Sequence, residues 1–571
     1  MLIVSLAPRR AADAPRLIAR LAIVAPELEA VQNGTCIVAS SQDATHLGPL
    51  SVWVEAAALA DRRQCKQVGR AELAVRLQRD GVATIADLAP PFRIAWAESE
   101  VATIAADWPG LAHVFLWSND GIAVAATSAT LIAQVFQLGV DTDALAGLAL
   151  TGSMLGIDTP VIDVSKLPAG RLARLVAGRV ELGTLPKPSR LADAEHAVAS
   201  AVASCVQSFP DAEVEVSGGF DSRMIIAALP RSSRRGALGL TIGPESSPDV
   251  VTARLICAMT GMDQLVIDPQ VADLDCDGLD DLLRAASYRD NFGGNPIDRA
   301  AINRLNSTRA SAPRFTGQNG EILRGFYYPG QRLDAVPSPA LARKLIAWRI
   351  FSNDLVDQEL FADHWYVAHK ARAAEMVEAM LLDGDGDWSQ RLDAYYLDQR
   401  MHRWWGAAVS AAMDERALLM PFFDADVLDL ARSLAGRAKQ GSRYAARLIT
   451  RLDPQLANLP TDSGIVAAIV ARGGLQSWSD QLRRNIGKFA AKAQQKIMRS
   501  DRPTLGSART VQHVYDTGLH RRVDLHALDK LEIFSPARLE AFGNGTWQPG
   551  RSTLGYLLNA HYLIARTAQT I

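Results

Sequence analysis

Residues 1–185 alternate apolar and polar positions over short segments broken by turn residues, and this period of two predicts β-strands. In "LAHVFLWSNDGIAVAATS" two such segments flank Asn119-Asp120-Gly121, and in "GRLARLVAGRVELGTL" two flank Ala177-Gly178, so each stretch predicts a hairpin. "LPKPSR" (185–190) carries two prolines within four residues and predicts a linker. From "LADAEHAVASAVASCVQSF" onward the pattern changes to long helical periods separated by a few apolar runs. "EVEVS", "ALGLTIG" and "RFTGQNG" are the strand candidates, each followed by a helical segment. That alternation predicts a parallel sheet with crossover helices, whose ligands lie beyond the carboxyl ends of the strands. Beyond residue 335 the pattern is almost entirely helical, without a repeat. The expected organisation is therefore two domains, 1–185 and 190–571.

Composition narrows the class without changing this picture. A chain of 571 residues exceeds what one core usually supports. Its 48% hydrophobic and 21% charged content is that of an ordinary globular protein. A formal charge of −2 argues against nucleic acid or a membrane surface as the main partner. Apolar runs such as "LAGLALTGSMLGI" are too short and interrupted to span a bilayer. "MLIVSLAPRRAADAP" places its charges after a very short apolar start, the reverse of a secretory signal. Five dispersed cysteines without C-x-x-C spacing fit reduced thiols, so a cytoplasmic chain is expected. The ten histidines show no ligand spacing.

The most informative stretch is "EVEVSGGFDSRMIIAALP" (213–230), in which a strand pattern runs into two glycines and an aspartate, then into a helix. Glycine lets the backbone approach a ligand closely. The N-terminus of the helix that follows attracts an anion. The segment thus predicts a phosphate cradle, yet it is neither a G-x-x-x-x-G-K-[ST] loop nor a G-x-G-x-x-G loop, and neither of those occurs at a strand end here.

Ser217-Gly218-Gly219-Phe220-Asp221-Ser222 resembles the pyrophosphate loop of the N-type ATP pyrophosphatases, which cleave ATP between its α- and β-phosphates to form adenylates. Three further stretches resemble the asparagine synthetase-like branch of that superfamily: "GLTIGPESSPDVVTARLICAMTGM", "FTGQNGEILRGFYY" and "MPFFDADVLDLARSL", the last a helix start with P-F-x-D. The resemblance covers about residues 190–460 and extends more weakly over the N-terminal part. It implies an α+β, β-rich N-terminal domain of the Ntn/glutaminase type in degenerate form. An α/β domain like the adenine nucleotide alpha hydrolases, with a parallel sheet and a helical C-terminal part, would follow. It implies ATP and Mg²⁺ as the ligands. Ser217, Gly218, Gly219, Asp221 and Ser222 would face the phosphates, Ile242 the adenine, and Thr316 and Gly317 the nucleotide. Asp221 and Glu321 would hold the metal, which takes hard oxygen ligands, and Asp249 occupies the branch's acidic position before a helix.

Departures from the family pattern shape the expected reaction. Glu321 stands where the branch has aspartate, and Gln318 where asparagine synthetases have glutamate. Glutamine-using members begin with a cysteine after the initiator methionine; here that position is Leu2 and the nearest cysteine is Cys36. Without a thiolate no glutamyl intermediate forms to release ammonia, so the amine is expected on the substrate itself. "TGQNGEILRGFYY" and "YYLDQRMHRWWG" resemble the lasso-peptide macrolactam cyclases, which join an N-terminal amine to an Asp or Glu side chain of a precursor peptide. That resemblance implies a precursor peptide as substrate and a leader-peptide protease or recognition protein as partner. The alternatives are an ammonia-dependent asparagine synthetase, a small-molecule lactam synthetase, or a non-catalytic nucleotide-binding scaffold.

Other candidates carry two readings each. Tyr395, Tyr396, Trp404 and Trp405 recur near helical spacing, as a core stripe or as a wall for a peptide. Arg400 and Arg403 beside them are a clamp for pyrophosphate or a carboxylate, or a solvated face. Lactam-forming relatives use a tyrosine–glutamate pair to deprotonate the amine, and Tyr395 with Glu415 is the pair offered here. The branch places a lysine beside the leaving pyrophosphate; "LANLPTDSG" has none, leaving Lys439, Arg443 or Arg447 as substitutes. The basic run 483–499 is a solvated face or a docking surface.

Overall fold

A computed structural model describes residues 1–309, 311–352, 356–473 and 507–568. The basic run 483–499 lies outside the described residues. The N-terminal part holds two six-stranded antiparallel sheets. In the first, Leu2–Leu6 lies between Ile122–Ala126 and Cys36–Ser40. All five residues of Leu2–Leu6 are buried because both faces of the strand are covered. Leu2, Val4 and Leu6 pack against helices Ala14–Val24 and Ala129–Phe136. Ile3 meets Ala95, Ile104 and Leu175 of the second sheet. The outer face of that second sheet packs on helix Arg70–Asp80 through Leu73, Ala74 and Leu77. The layers are therefore helix, sheet, sheet, helix.

Both expected hairpins are present, Phe115–Asn119 with Ile122–Ala126 and Arg171–Val176 with Arg179–Thr184. Their turns, Asp120-Gly121 and Ala177-Gly178, have positive φ at both positions, the geometry that matches the twist of the flanking strands.

The second sheet system is parallel throughout. Its strands lie in the spatial order Asp263–Ile267, Leu238–Ile242, Glu213–Glu215, Arg314–Phe315, Leu418–Leu419. The three strand candidates from the sequence form its centre, and Asp263–Ile267 and Leu418–Leu419 extend it on either side. Successive connections run outward from Glu213–Glu215 in one direction and then return to its other side. The topological switch therefore lies between Glu213–Glu215 and Arg314–Phe315, where open α/β sheets place their ligands. At the opposite, amino-terminal edge, buried Glu213 accepts from Arg314 Nε (2.6 Å), Arg416 Nη1 (2.6 Å) and Arg309 Nη2 (2.8 Å). These charge-assisted bonds tie the starts of three neighbouring strands to one carboxylate.

A single large core runs from the parallel sheet through the C-terminal helices, and helix Leu145–Thr151 of the N-terminal part belongs to it through Leu145, Leu148 and Leu150. The stretch 185–192 is pinned as it crosses: Ser189 N and Oγ donate to Asp87 (2.7 and 2.8 Å), and Leu191 N donates to Asp426 (3.1 Å). Among the described residues no helix is long and apolar enough to cross a membrane.

Candidate functional site

Two loops leave the switch point side by side, Val216–Gly219 and Thr316–Asn319. They touch so closely that glycine is required at the contact. A Cβ on Gly317 would lie 2.9 Å from Ser222 N, and one on Gly320 would lie 2.5 Å from Asp221 Oδ1. Gly218 is enclosed as well, with Asp462 Cβ 2.7 Å from where its own Cβ would sit. These positions are glycine because neighbouring chain occupies the space that a side chain needs.

Asp221 stands in the first turn of helix Phe220–Ala228, and Glu321 in the short 3₁₀ turn Gly320–Leu323. Arg324 joins them: its Nη2 donates to Asp221 Oδ2 at 2.5 Å and lies 3.9 Å from Glu321 Oε1. The other oxygen of Asp221, Oδ1, is buried with no hydrogen-bond partner. Burial pushes the Asp221 carboxyl up to about 7; Arg324 pulls it down and Glu321 pushes it further up. Tyr396, 1% exposed, donates its hydroxyl to Glu321 Oε2 at 3.0 Å. Burial, with Glu321 adding, raises that phenol well above its usual range, so it stays a donor.

Among the described residues no group of three or more His, Cys, Asp or Glu side chains gathers as a metal cage. A pair of carboxylates on adjoining loops, one with an unpartnered buried oxygen, nevertheless fits a magnesium ion whose remaining ligands are water and phosphate oxygens.

The serine and glycine residues play more local parts than the sequence implied. Ser217 and Ser222 hydrogen-bond to each other, Oγ to Oγ at 2.8 Å, and Ser217 N donates to Ser222 Oγ at 3.1 Å. The hydroxyls thereby fix the loop's own curvature. The N–H of Gly218 donates to Asp249 Oδ1 at 2.6 Å, so this donor is held by a carboxylate from the neighbouring strand–helix unit. Burial raises the Asp249 carboxyl, Gly218 opposes the rise, and nearby Asp462 adds to it. Ile242 ends its strand half-buried, and Thr316 is buried at the start of the second loop. Both stand at the carboxyl edge of the sheet.

Two other expectations meet a different arrangement. Tyr395 and Glu415 are not brought together. Tyr395 is buried against Tyr327, ring centroids 5.6 Å apart, and Glu415 pairs with Arg289 at 2.5 Å. Glu415 also precedes the parallel strand Leu418–Leu419, which puts it at the amino edge, away from the loops. Lys439 is 1% exposed and committed to Asp393 and to Ala431 O (2.8 Å), while Asp393 also accepts from Tyr328 (2.7 Å). Its ammonium is thus held in the core as one half of an ion pair. Asp424 of the P-F-F-D stretch caps helix Ala425–Ser433 and binds Arg62 at 2.8 Å.

The groups that complete the site were not singled out from sequence. Arg324 lies three residues after Glu321, a spacing that brings both to one side of a tight turn. Arg223, fully buried, donates to Gly218 O (3.3 Å), Leu459 O (2.6 Å) and Pro460 O (3.0 Å), clasping the "LANLPTDSG" segment onto the loop Val216–Gly219. Burial lowers its pKa to about 10, with Asp462 opposing. The "LANLPTDSG" stretch holds no lysine, and the cation that lies against it is this buried arginine, bound to carbonyls.

Compared with known proteins, the chain matches no protein-family model and no curated protein.

Proposed function

We infer that this chain is an ATP-dependent ligase that forms an amide through an acyl-adenylate, in the manner of the N-type ATP pyrophosphatases. The reading carried over from the sequence resemblance is closure of a macrolactam between the N-terminal amine and an Asp or Glu side chain of a lasso precursor peptide. The observation that supports it is the paired loop at the switch point, with Asp221 Oδ1 buried and unpartnered beside Glu321 and Arg324. A bound magnesium would neutralise phosphate charge there. In this reading Arg324 balances the two carboxylates, and the glycine contacts keep the loops close enough to share one nucleotide. Tyr396 orients Glu321 by its hydrogen bond. The substrate carboxylate attacks the α-phosphorus, pyrophosphate leaves, and the amine then displaces AMP.

Cys36, the cysteine nearest the start of the sequence, favours an amine supplied by the substrate over one released from glutamine. Cys36 is buried in the first sheet and pushed up to about 12 by burial, with Glu100 adding. Such a thiol supplies no thiolate near neutral pH. The test is incubation of the protein with ATP, Mg²⁺, a candidate precursor peptide and its leader-removing protease. A product lighter by one water, with AMP and pyrophosphate in equal amounts, is expected, and Asp221→Ala abolishes both. Release of ADP and inorganic phosphate, or turnover of free aspartate with ammonia, would replace this reading by another.

A further inference from the structure

The wide-turn (π) helix Tyr396–Trp405 carries a ladder of rings and guanidiniums that starts at Glu321 and leads away from it. The Tyr396 ring lies 5.1 Å from that of Phe326. The Arg400 guanidinium carbon is 4.8 Å from the Phe326 ring centre and 4.5 Å from that of Trp404. Arg349 covers Phe326 at 5.0 Å, and Arg299 covers Trp404 at 5.1 Å.

Two of these three arginines are committed. Arg299 pairs with Asp290 at 3.1 Å and donates to Trp404 O at 3.2 Å. Arg349 donates to Phe326 O at 2.7 Å. Arg400 differs: half-buried, it is held over two rings and makes no hydrogen bond or ion pair with any described residue. Stacking restrains a guanidinium while leaving its in-plane donors available, which suits it to bind a carboxylate with two bonds.

We propose that Arg400 is a specificity residue that binds a second carboxylate of the substrate, one distinct from the carboxylate being activated. The substrate class is thus an acidic peptide with at least two carboxylates. This deepens the ligase reading and rests on it. The reacting carboxylate must present a lone pair to phosphorus, and a two-bond grip from a guanidinium would occupy its oxygens. Charge sorts the two groups further. At the near end of the ladder Arg324 is already paired with Asp221 and Glu321, whereas Arg400, beyond the Tyr396 and Phe326 rings, is a cation with donors to offer a carboxylate. A substrate with two acids is thereby oriented before any bond forms.

The test uses two synthetic peptides that differ only in whether the C-terminus is a free carboxylate or an amide, each with one internal Asp. AMP release gives KM for each peptide, and calorimetry without ATP gives binding. Wild type is expected to favour the free acid about tenfold in both measures, and Arg400→Gln to bring that ratio close to one. Arg400→Glu should reverse the preference toward a peptide ending in lysine amide, an effect that loss of packing alone does not produce. If wild type releases no AMP yet the calorimetric preference holds and follows Arg400, the adenylation reading fails while carboxylate recognition stands. An equal effect of Arg400→Gln on both peptides, or no preference in wild type, overturns the proposal.

Discussion

Asp221 illustrates how a site charge weakens the fold that holds it. Its carboxyl titrates near 7 in the folded chain, because burial outweighs Arg324, and near 3.9 when unfolded. The unfolded state therefore loses its proton first, and stability falls as pH rises from about 4 to about 7, then levels off. Asp221→Asn removes this penalty. At pH 8, without nucleotide or metal, the variant should be more stable than wild type by about 2 kcal/mol. Three pKa units set a ceiling of roughly 4 kcal/mol, and sharing of the proton with Glu321 lowers it. Urea denaturation at pH 8 and pH 4 checks this; equal midpoints at pH 8 would contradict it. The strand–loop–helix around Ser217–Ser222 and the two carboxylates beside it were legible in the sequence because they lie in short, fixed spacings. Tyr396 was not distinguished from Tyr395, since neighbours on a helix face directions about 100° apart and only the packing decides which meets Glu321. Lys439 misled for the same reason: a lone cation in a sequence does not reveal a buried partner 46 positions away.

Strands and helices show a similar division. Asn119-Asp120-Gly121 and Ala177-Gly178 announced their hairpins because the turn chemistry is local. The two-residue strand Leu418–Leu419 was invisible, being too short for any periodicity and defined only by its neighbour in space. The same holds for the segment after helix Pro454–Asn458, which meets the loop Val216–Gly219 only through long-range bonds. Asp453 anchors that segment. It accepts from Gln455 N and Leu456 N (3.1 Å each) and pairs with Arg234 at 2.5 Å, both partners buried. Burial works against the Asp453 charge but is outweighed by Arg234 and the two N–H groups, so its carboxyl is held below the usual range. A depressed carboxyl contributes stability that is fully present above about pH 3.9 and is lost as pH falls through the lower folded value. Asp453→Asn should cost about 3 kcal/mol at pH 7, the cost of breaking a buried pair, and the difference from wild type should shrink toward pH 2–3. Unfolding curves at both pH values test the sign. The variant should also be cut faster by protease between residues 456 and 466, where the clasp from Arg223 depends on this anchor.

Among the bonds that join the N-terminal sheets to the parallel-sheet part is a buried network whose members lie up to 364 positions apart, which is why no local pattern foretold it. Arg62, 5% exposed, binds Asp424 through Nε and Nη2 (2.8 Å each), Asp426 through Nη2 (2.9 Å) and Ser189 O through Nη1 (2.6 Å). One guanidinium, from the turn between the short strands Ala60–Asp61 and Lys66–Gln67, thus holds the crossing stretch 185–192 and the helix that begins after Pro421-Phe422-Phe423. That turn matters to the site, because Phe422 O accepts from Asn319 Nδ2 at 2.7 Å and so positions the loop carrying Glu321. Removing Arg62 would leave two aspartates buried without their cation, which in comparable sites costs about 3–5 kcal/mol. Arg62→Ala should therefore lower stability by about that amount and weaken the ATP binding proposed above, although it touches no loop residue at the switch point. Arg9→Ala is the comparison: Arg9 meets Asp120 at 2.7 Å with both side chains more than half exposed, where water and salt screen the pair and the change should stay below about 1 kcal/mol. Calorimetric melting with and without nucleotide distinguishes the two. If Arg62→Ala melts like Arg9→Ala, the joint is carried by apolar packing and by the other bonds across it, such as His113 N to Ser410 Oγ (2.7 Å) and Ala57 N to Met413 O (2.8 Å). If it melts early but binds nucleotide like wild type, the path from Arg62 through Phe422 to Glu321 carries no positional strain.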